Sequence, residues 1–403
     1  MAGIVHRSIS GRAGLLICAR MLLALQVFAG LCALLAMAGA AYYALCAWVG
    51  LRFLSQQRES ASFAAPVSIM KSLKGVDPHM RAAFRSHCVL DYPEYEVLFG
   101  VSDLNDPAVA LVREVQAEFP HAKLRVVHCP QVLGTNGKVS NLVQMLPHAQ
   151  HEHVLINDSD ILVAPDFLRR VMSCFLDAKV GVVTTLYRAR SGRSLWSRLE
   201  ALGISTDFMG GVLVARELEG GIKFALGATM ATTKSVLAKI GGLESLVDVL
   251  GDDYELGARA SAAGFRVELA GAVVETALAD YSRNDFWQHQ MRWARNIKDR
   301  RLTQYLGLIV TFGLPWGILG VLAAPRAWWA WVGFFLVLIA RGLAAVVIGG
   351  RVLHDSQIAP DWWLIPLRDF VALGIWVASF FGNAVMWRGE RFRLRDGRLE
   401  KLG

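Results

Sequence analysis

The sequence is poor in charge. Asp, Glu, Lys and Arg make up 19% of its 403 residues, against about 25% in ordinary soluble domains. It has 6 cysteines and 12 prolines. No two cysteines form a CxxC pair and none joins histidines at zinc spacing, which excludes a zinc-ribbon module and a disulfide-built secreted scaffold. The cysteines read as reduced packing residues, in keeping with a domain that faces the cytosol. Phosphate loops of the familiar kinds are missing as well. Gly134-Thr135-Asn136-Gly137-Lys138 has the composition of such a loop but neither Walker nor GxGxxG spacing. No GxSxG elbow supports hydrolysis by a serine nucleophile.

What the chain does have is long apolar runs. Hydrophobic residues are 54% of it. The share is about 61% once Gly is counted and Tyr is not, against about 45–50% for globular domains. Residues 21–51 carry no charged side chain and are bracketed by Arg20 and Arg52. That exceeds the roughly 20 residues a spanning helix needs. Arg7 and Arg12 precede the run, and Ala36-Met37-Ala38 resembles a cleavage site. The apolar residues continue well past Ala38, so an uncleaved anchor is expected. Residues 302–325 and 370–387 are also uncharged, and 327–350 hold only Arg341. Trp328, Trp329, Trp331, Trp362, Trp363 and Trp387 lie at or near the ends of these stretches, where interfacial aromatics belong.

The expected organisation is a membrane anchor over 1–55, a catalytic-sized domain over 56–300, membrane segments over 301–387 and a basic tail over 388–403. The net charge of +8 suits a bilayer surface or a phosphate-bearing substrate better than nucleic acid. If all three C-terminal stretches crossed, the basic tail would lie opposite the domain, against the positive-inside rule. One stretch is therefore expected to be re-entrant or interfacial. Arg341 makes 327–350 the candidate, because charge at mid-membrane is costly.

Within 56–300, short apolar runs at 66–71, 95–101, 124–127, 153–156 and 180–186 alternate with helical spacing at 106–119, 138–148 and 166–176. This predicts an α/β fold with a mostly parallel sheet, whose ligands bind at the carboxyl ends of the strands. Those ends carry acids. The 95–101 run is followed by Ser102-Asp103, and the 153–156 run by Asn157-Asp158-Ser159-Asp160. Two Asp one residue apart suit a divalent cation shared with a diphosphate; an Asx turn closing the strand would leave the same pattern. Asp252, Asp253 and Glu255 precede a further helical stretch, where the helix dipole alone favours acids. Trp287 to Arg295 combines guanidinium and indole, suited to phosphate and to sugar. It equally suits an interfacial helix.

Order and spacing carry a resemblance. Asp103, then Asp158-Ser159-Asp160, then Asp253, then HQMRW at 289–293 resembles the D, DxD, D, (Q/R)xxRW series of membrane-bound inverting glycosyltransferases. The strings PVSIMKSLKGVDP at 66–78, FGVSDLNDPA at 99–108, GTNGKVSNL at 134–142, FALGATMATTKSVLAKIGG at 224–242, DDYELG at 252–257 and WRGERFRL at 387–394 are similar to the ceramide glucosyltransferase family. They resemble most its bacterial hopanoid-biosynthesis branch. His289 stands where the general motif has Gln or Arg; it matches that branch and departs from processive polysaccharide synthases.

The resemblance implies a GT-A-type, Rossmann-like domain flanked by membrane helices. It implies that Asp103 contacts the uridine of a UDP-sugar and that Lys71, Lys138 and Asn141 edge the nucleotide pocket. Asp158 and Asp160 would hold a divalent cation, Mg²⁺ or Mn²⁺, against the diphosphate. Asp253 would be the general base, with Asp252 its rival and Glu255 the third choice. Arg292 and Trp293 would close over the diphosphate and sugar, on a helix shared with His289. The expected reaction is transfer of N-acetylglucosamine to a hopanoid such as bacteriohopanetetrol. Glucosylation of ceramide from UDP-glucose is second, and a processive polysaccharide synthase third. The expected location is a bacterial inner membrane, with the domain in the cytoplasm.

Overall fold

The computed structural model describes residues 2–56, 63–77, 79–387 and 390–402, with backbone only over 2–19. The side chains of Arg7 and Arg12, as well as Pro78, Arg388 and Gly389, lie outside the described residues.

A seven-stranded sheet forms the centre of the domain, in the order β3-β2-β1-β4-β6-β5-β7. Its strands are β1 (Val67–Ser72), β2 (Tyr95–Val101), β3 (Leu124–His128), β4 (His153–Asn157), β5 (Val180–Arg190), β6 (Thr229–Thr233) and β7 (Arg266–Ala277). All pairings are parallel except those of β6, which runs antiparallel to both neighbours. β1, β2 and β4 are buried on both faces, which explains their unbroken apolar runs. Alternate residues serve two cores, as the strand period requires. Ile69, Val97, Phe99 and Leu155 pack into one, and Met70, Leu98, Val154 and Ile156 into the other. Helices Pro107–Glu118, Gly137–Met145 and Phe167–Met172 follow where the spacing predicts them.

The anchor is a single helix, Ala2–Gln56. By length and composition Arg20–Gln56, Trp328–Val352 and Ile358–Ser379 could each cross a membrane. Leu302–Thr311 and Gly313–Ala323 form a pair bent by 52° that would make a fourth. Packing separates them. A Cβ on Gly39 would strike Gly313, and one on Gly320 would meet Cys32, so the bent pair runs antiparallel to the anchor. Gly50 abuts Ile348 and Arg341 stacks over Tyr43, so Trp328–Val352 returns parallel to it. Its end meets the domain, where Arg188 donates to the carbonyls of Leu353 and His354 at 2.9 and 3.0 Å.

The stretch Ile358–Ser379 starts and finishes on the domain. Asp361 pairs with Arg198 at its start, and Lys298 donates to the Ser379 carbonyl at its finish. Its Ile358, Leu364 and Ile375 share a core with Leu199, Phe286 and Met291 of the domain. Trp362, Trp363 and Phe381 remain exposed. This corrects two expectations. The stretch with both ends on the domain is 358–379, whereas 327–350, expected to be the one that does not cross, meets the domain at one end, and the apolar stretch 370–387 breaks after Ser379 into a turn and strand β8 (Ala384–Trp387). Arg341 is tolerated because its charge is met. It lies 2.9 Å from Asp369 and 2.6 Å from Asp207, and it donates to Thr206 Oγ1 at 2.9 Å.

β8 pairs with β9 (Glu390–Arg395), and β9 with β10 (Arg398–Lys401), in a small antiparallel sheet. The sheet rests on the domain, so the tail lies on the domain's side, as the charge distribution predicts.

Arg341→Met leaves Asp207 and Asp369 without their cation, and breaking a buried pair costs about 3–5 kcal/mol. The midpoint of thermal unfolding in detergent should fall clearly. Replacing Asp369 by Leu as well should recover much of the loss. Equal midpoints for parent and single variant would remove this cluster as a stabilising element.

Candidate functional site

The carboxyl ends of β1, β2 and β4 meet where the strand order reverses direction, the usual ligand crevice of such sheets. Lys71, near the end of β1, is fully buried and donates to the backbone carbonyl of Asp158 at 2.9 Å. Burial pushes its amine down to about 7, against the pull of Asp160 and Asp158. Asn141 ties the strand ends together. It donates to Ser72 Oγ at 3.1 Å and accepts from Ser102 Oγ at 3.0 Å. Asp103 follows on the exposed loop, where its Oδ1 accepts from the Asn105 N–H at 2.8 Å.

Asp158 and Asp160 lie in the turn after β4 and face different environments. Asp158 Oδ1 is 2.6 Å from Lys138 Nζ. Asp160 is half-buried and accepts from the Thr276 hydroxyl and, at 3.3 Å, from the Ala277 N–H. Burial and the charge of Asp158 raise its carboxyl above the usual range, and Thr276 works against them. Lys138 also lies 3.5 Å from Asp252 Oδ2. Burial opposes its charge, yet Asp158, Asp252 and Asp253 together hold the ammonium well above its ordinary value. Lys138 sits in the first turn of the helix that Asn136 caps, and Asn136 Nδ2 also reaches Asp252 Oδ1 at 3.3 Å.

Asp252 and Asp253 open the helix Asp252–Ala262. Asp253 accepts from the Tyr254 N–H at 2.7 Å through Oδ1. Its Oδ2 faces Gly227, where a Cβ would stand 3.0 Å away and 3.7 Å from Asp158 Oδ2. A side chain at 227 would press on the Asp253 carboxylate, which glycine avoids. Burial first, then the charge of Asp252, push the Asp253 carboxyl up to about 6, while Lys138 pulls it down. Glu255 is engaged elsewhere. It pairs with Arg259 at 2.8 Å and Arg300 at 2.6 Å, which hold it below the usual range in spite of its burial.

Helix Arg283–Arg300 carries His289, Arg292 and Trp293 and begins with a capping box between Ser282 and Asp285. Its rings build a wall from Tyr281 through His289 and Trp293 to Phe208 and Tyr187, with centroids 4.9–6.2 Å apart. Tyr281 is held up by burial, with Glu200 adding and Arg292 opposing. Tyr187 stands opposite Val274 on β7, two residues from the Thr276 that bonds Asp160, which places the wall beside the acids. His289 Nδ1 lies 2.7 Å from Glu200, a carboxylate sealed from solvent. Glu200, Tyr187, Phe208, Tyr281, Asn136 and Thr276 are absent from the sequence-based set. A lone acid in the apolar segment LWSRLEALG was the available sign for Glu200.

The structure thus gathers Lys71, Lys138, Asn141, Asp158, Asp160, Asp252 and Asp253 at one crevice, with the aromatic wall alongside. Asp103 sits on the adjacent strand end. Among the described residues no three His, Cys, Asp or Glu side chains are gathered to hold a metal by themselves. Two carboxylates in one turn fit a hard cation that takes its remaining ligands from phosphate and water.

A family model described as Glycosyl transferase family 21 matches residues 31–400. Ceramide glucosyltransferase 1 of Caenorhabditis elegans is 22% identical over 343 residues, 82% of this chain and 72% of the relative. The beta-monoglucosyldiacylglycerol synthase of Trichormus variabilis is 27% identical over 263 residues, 63% of this chain and 53% of that protein. Among solved structures, the mannosyltransferase PcManGT from Pyrobaculum calidifontis in complex with GDP-Man and Mn²⁺ matches with a TM-score of 0.54 at 19% identity. The match covers 89% of this chain and 98% of that one, and it shows a shared GT-A-like fold.

Proposed function

The chain belongs to glycosyl transferase family 21 and is a glycosyltransferase; from that premise we propose that it moves a sugar, with inversion, from a UDP-sugar to the hydroxyl of a membrane lipid. The observation that carries this reading is the placement of the half-buried Asp253 carboxylate, whose Oδ2 faces Gly227 as Asp158 Oδ2 does, next to the Asp158–Lys138 pair. Asp253 takes the proton of the acceptor hydroxyl. The oxygen attacks the anomeric carbon opposite the UDP, and the bond to the diphosphate breaks. A base poised near the working pH suits this step. Lys138, Lys71 and Arg292 face the charge that builds on the leaving diphosphate. Asp103 and Asn141 serve the nucleotide, and Trp293 and His289 the sugar and acceptor. A divalent cation, Mg²⁺ or Mn²⁺, held by Asp158 and Asp160 would supply further neutralisation of the diphosphate. The cation bound in the mannosyltransferase supports this assignment only as a likeness of fold.

The favoured pair is UDP-N-acetylglucosamine with bacteriohopanetetrol, supported by His289 and the strings similar to the bacterial branch. The favoured location is a bacterial inner membrane with the domain in the cytoplasm. The names of the relatives support a second pair, UDP-glucose with ceramide. Purified membranes incubated with each donor and with bacteriohopanetetrol, ceramide or diacylglycerol, followed by mass spectrometry, separate the two. Glycosylated bacteriohopanetetrol is the expected product, and its formation should stop in excess EDTA. Glucosylceramide alone would favour the second pair. UDP release with none of the lipids would remove the lipid-acceptor reading, and full activity in EDTA would remove the metal.

A further inference from the structure

We propose that the C-terminal sheet β8–β10 belongs to the catalytic apparatus, because its pairing with residues 248–250 fixes the position of Asp252 and Asp253. The proposal rests on the reading of Asp253 as the base.

The segment from Val247 to Gly251 leads directly into the helix that Asp252 opens. One edge of it is held by the phosphate-side loop. The Asn136 N–H donates to the Val247 carbonyl at 2.7 Å, and Asn136 Nδ2 donates to the Val249 carbonyl at 2.8 Å. The Thr135 N–H donates to Asp248 at 2.9 Å. The other edge is held by the tail. Leu250 N–H donates to the Gly397 carbonyl at 3.1 Å, Leu399 N–H donates to the Asp248 carbonyl at 3.0 Å, and Val249 stands opposite Arg398 as an antiparallel bridge. Leu250 also packs on the small core of Val385, Phe392, Leu394 and Leu399. The segment before the base thus lies between two partners, and the tail supplies one side.

The tail is in turn held by the helix of Arg292 and Trp293. Gly397 sits at φ +73° in the β9–β10 turn, and its N–H donates to Asp299 Oδ2 at 2.5 Å. Its carbonyl accepts from Arg300 Nη2 at 3.3 Å, while Arg300 Nη1 bonds Glu255, two residues beyond Asp253, at 2.6 Å. Arg295 donates to the Phe381 carbonyl at 2.9 Å. The tail therefore ties the base segment to the helix on the opposite wall, and sets the distance between proton acceptor and aromatic wall. Misplacement of a reacting group by about 1 Å costs about 10²-fold.

The test uses the full chain. A side chain at position 397 must adopt a left-handed backbone and would strike Arg300. Gly397→Val is expected to lower kcat about 10- to 100-fold, while the UDP-sugar KM and the UDP Kd stay within about 3-fold. Val249→Cys with Arg398→Cys, added to that variant, places two thiols across the bridge at disulfide distance. Oxidation should restore kcat and dithiothreitol should abolish the recovery. If Gly397→Val does not accumulate, Phe392→Ser loosens the same sheet from beneath and carries the same expectation. An unchanged kcat overturns the proposal. So does an equal loss of UDP binding and kcat, which would mean that the tail only supports the fold, and so does a crosslink that restores nothing. Failure of the transferase reading looks different, since the unaltered chain would then transfer no sugar.

Discussion

Asp253→Asn is expected to lower kcat by about 10²–10⁴-fold, the usual worth of a general base, with UDP-sugar affinity near that of the parent. The amide keeps the shape of the carboxylate and can still accept the Tyr254 N–H at the same oxygen position, but it cannot take a proton. The pH dependence follows from the raised carboxyl. Asp253 is competent only when ionised, and its carboxyl titrates at about 6. Activity of the parent should therefore fall as pH drops through about 6, where an ordinary Asp would hold to about 4. Asp252→Asn should be milder, since Asp252 is bonded to Asn136 and Lys138 rather than turned toward Gly227. Asp103→Asn should weaken donor binding first. Initial rates and UDP titrations on one lipid compare the three. A dead Asp252→Asn beside an active Asp253→Asn would reverse the assignment of the base, and full activity in all three would end the transferase mechanism built on these acids.

Lys138→Met should also be damaging, though less so and by a different route. Its ammonium stands between Asp158 and Asp252 and pulls the Asp253 carboxyl down. Without it, Asp158 and Asp252 lose the ammonium that pairs with both of them. Losing a buried hydrogen bond to a charged group costs about 1.5–3 kcal/mol, so kcat/KM should drop roughly 10- to 100-fold. The sign on pH is fixed: removal of a positive charge favours the protonated acid, so the acidic limb should move above about 6. Lys138→Arg keeps the charge and should keep the limb near its original place. A limb that stays still in Lys138→Met would show that this lysine does not set the charge state of Asp253.

Much of the domain was legible because β1, β2 and β4 are buried on both faces and leave unbroken apolar runs that stop at acids. β6 was not. Its residues TMATT are mostly polar, and it is a strand because both neighbours pair with it. The Thr184 hydroxyl donates to the Thr229 carbonyl at 2.7 Å at its start. Arg341 was misjudged for a related reason. Charge inside an apolar stretch is costly only when unmet, and its partners Asp207 and Asp369 lie 134 and 28 positions away. The final stretch looked long enough to cross because hydropathy does not register that the helix stops at Ser379 and turns into an edge strand. The acids of the site were visible as residue types at strand ends and a helix start. The pairing of Glu200 with His289 was not, since it joins two helices far apart in the chain.

The catalytic domain is moored at both of its ends, and the moorings pack on each other: the anchor helix lies against the bent pair and against Trp328–Val352. The enzyme cannot leave the bilayer to find its acceptor, so the encounter is a two-dimensional search in one leaflet. Its rate is governed by the mole fraction of acceptor among the surrounding lipids rather than by the amount per volume of suspension. Diluting the membrane with inert lipid at constant total acceptor should slow the reaction, while diluting the whole suspension at saturating UDP-sugar should leave turnover per enzyme unchanged.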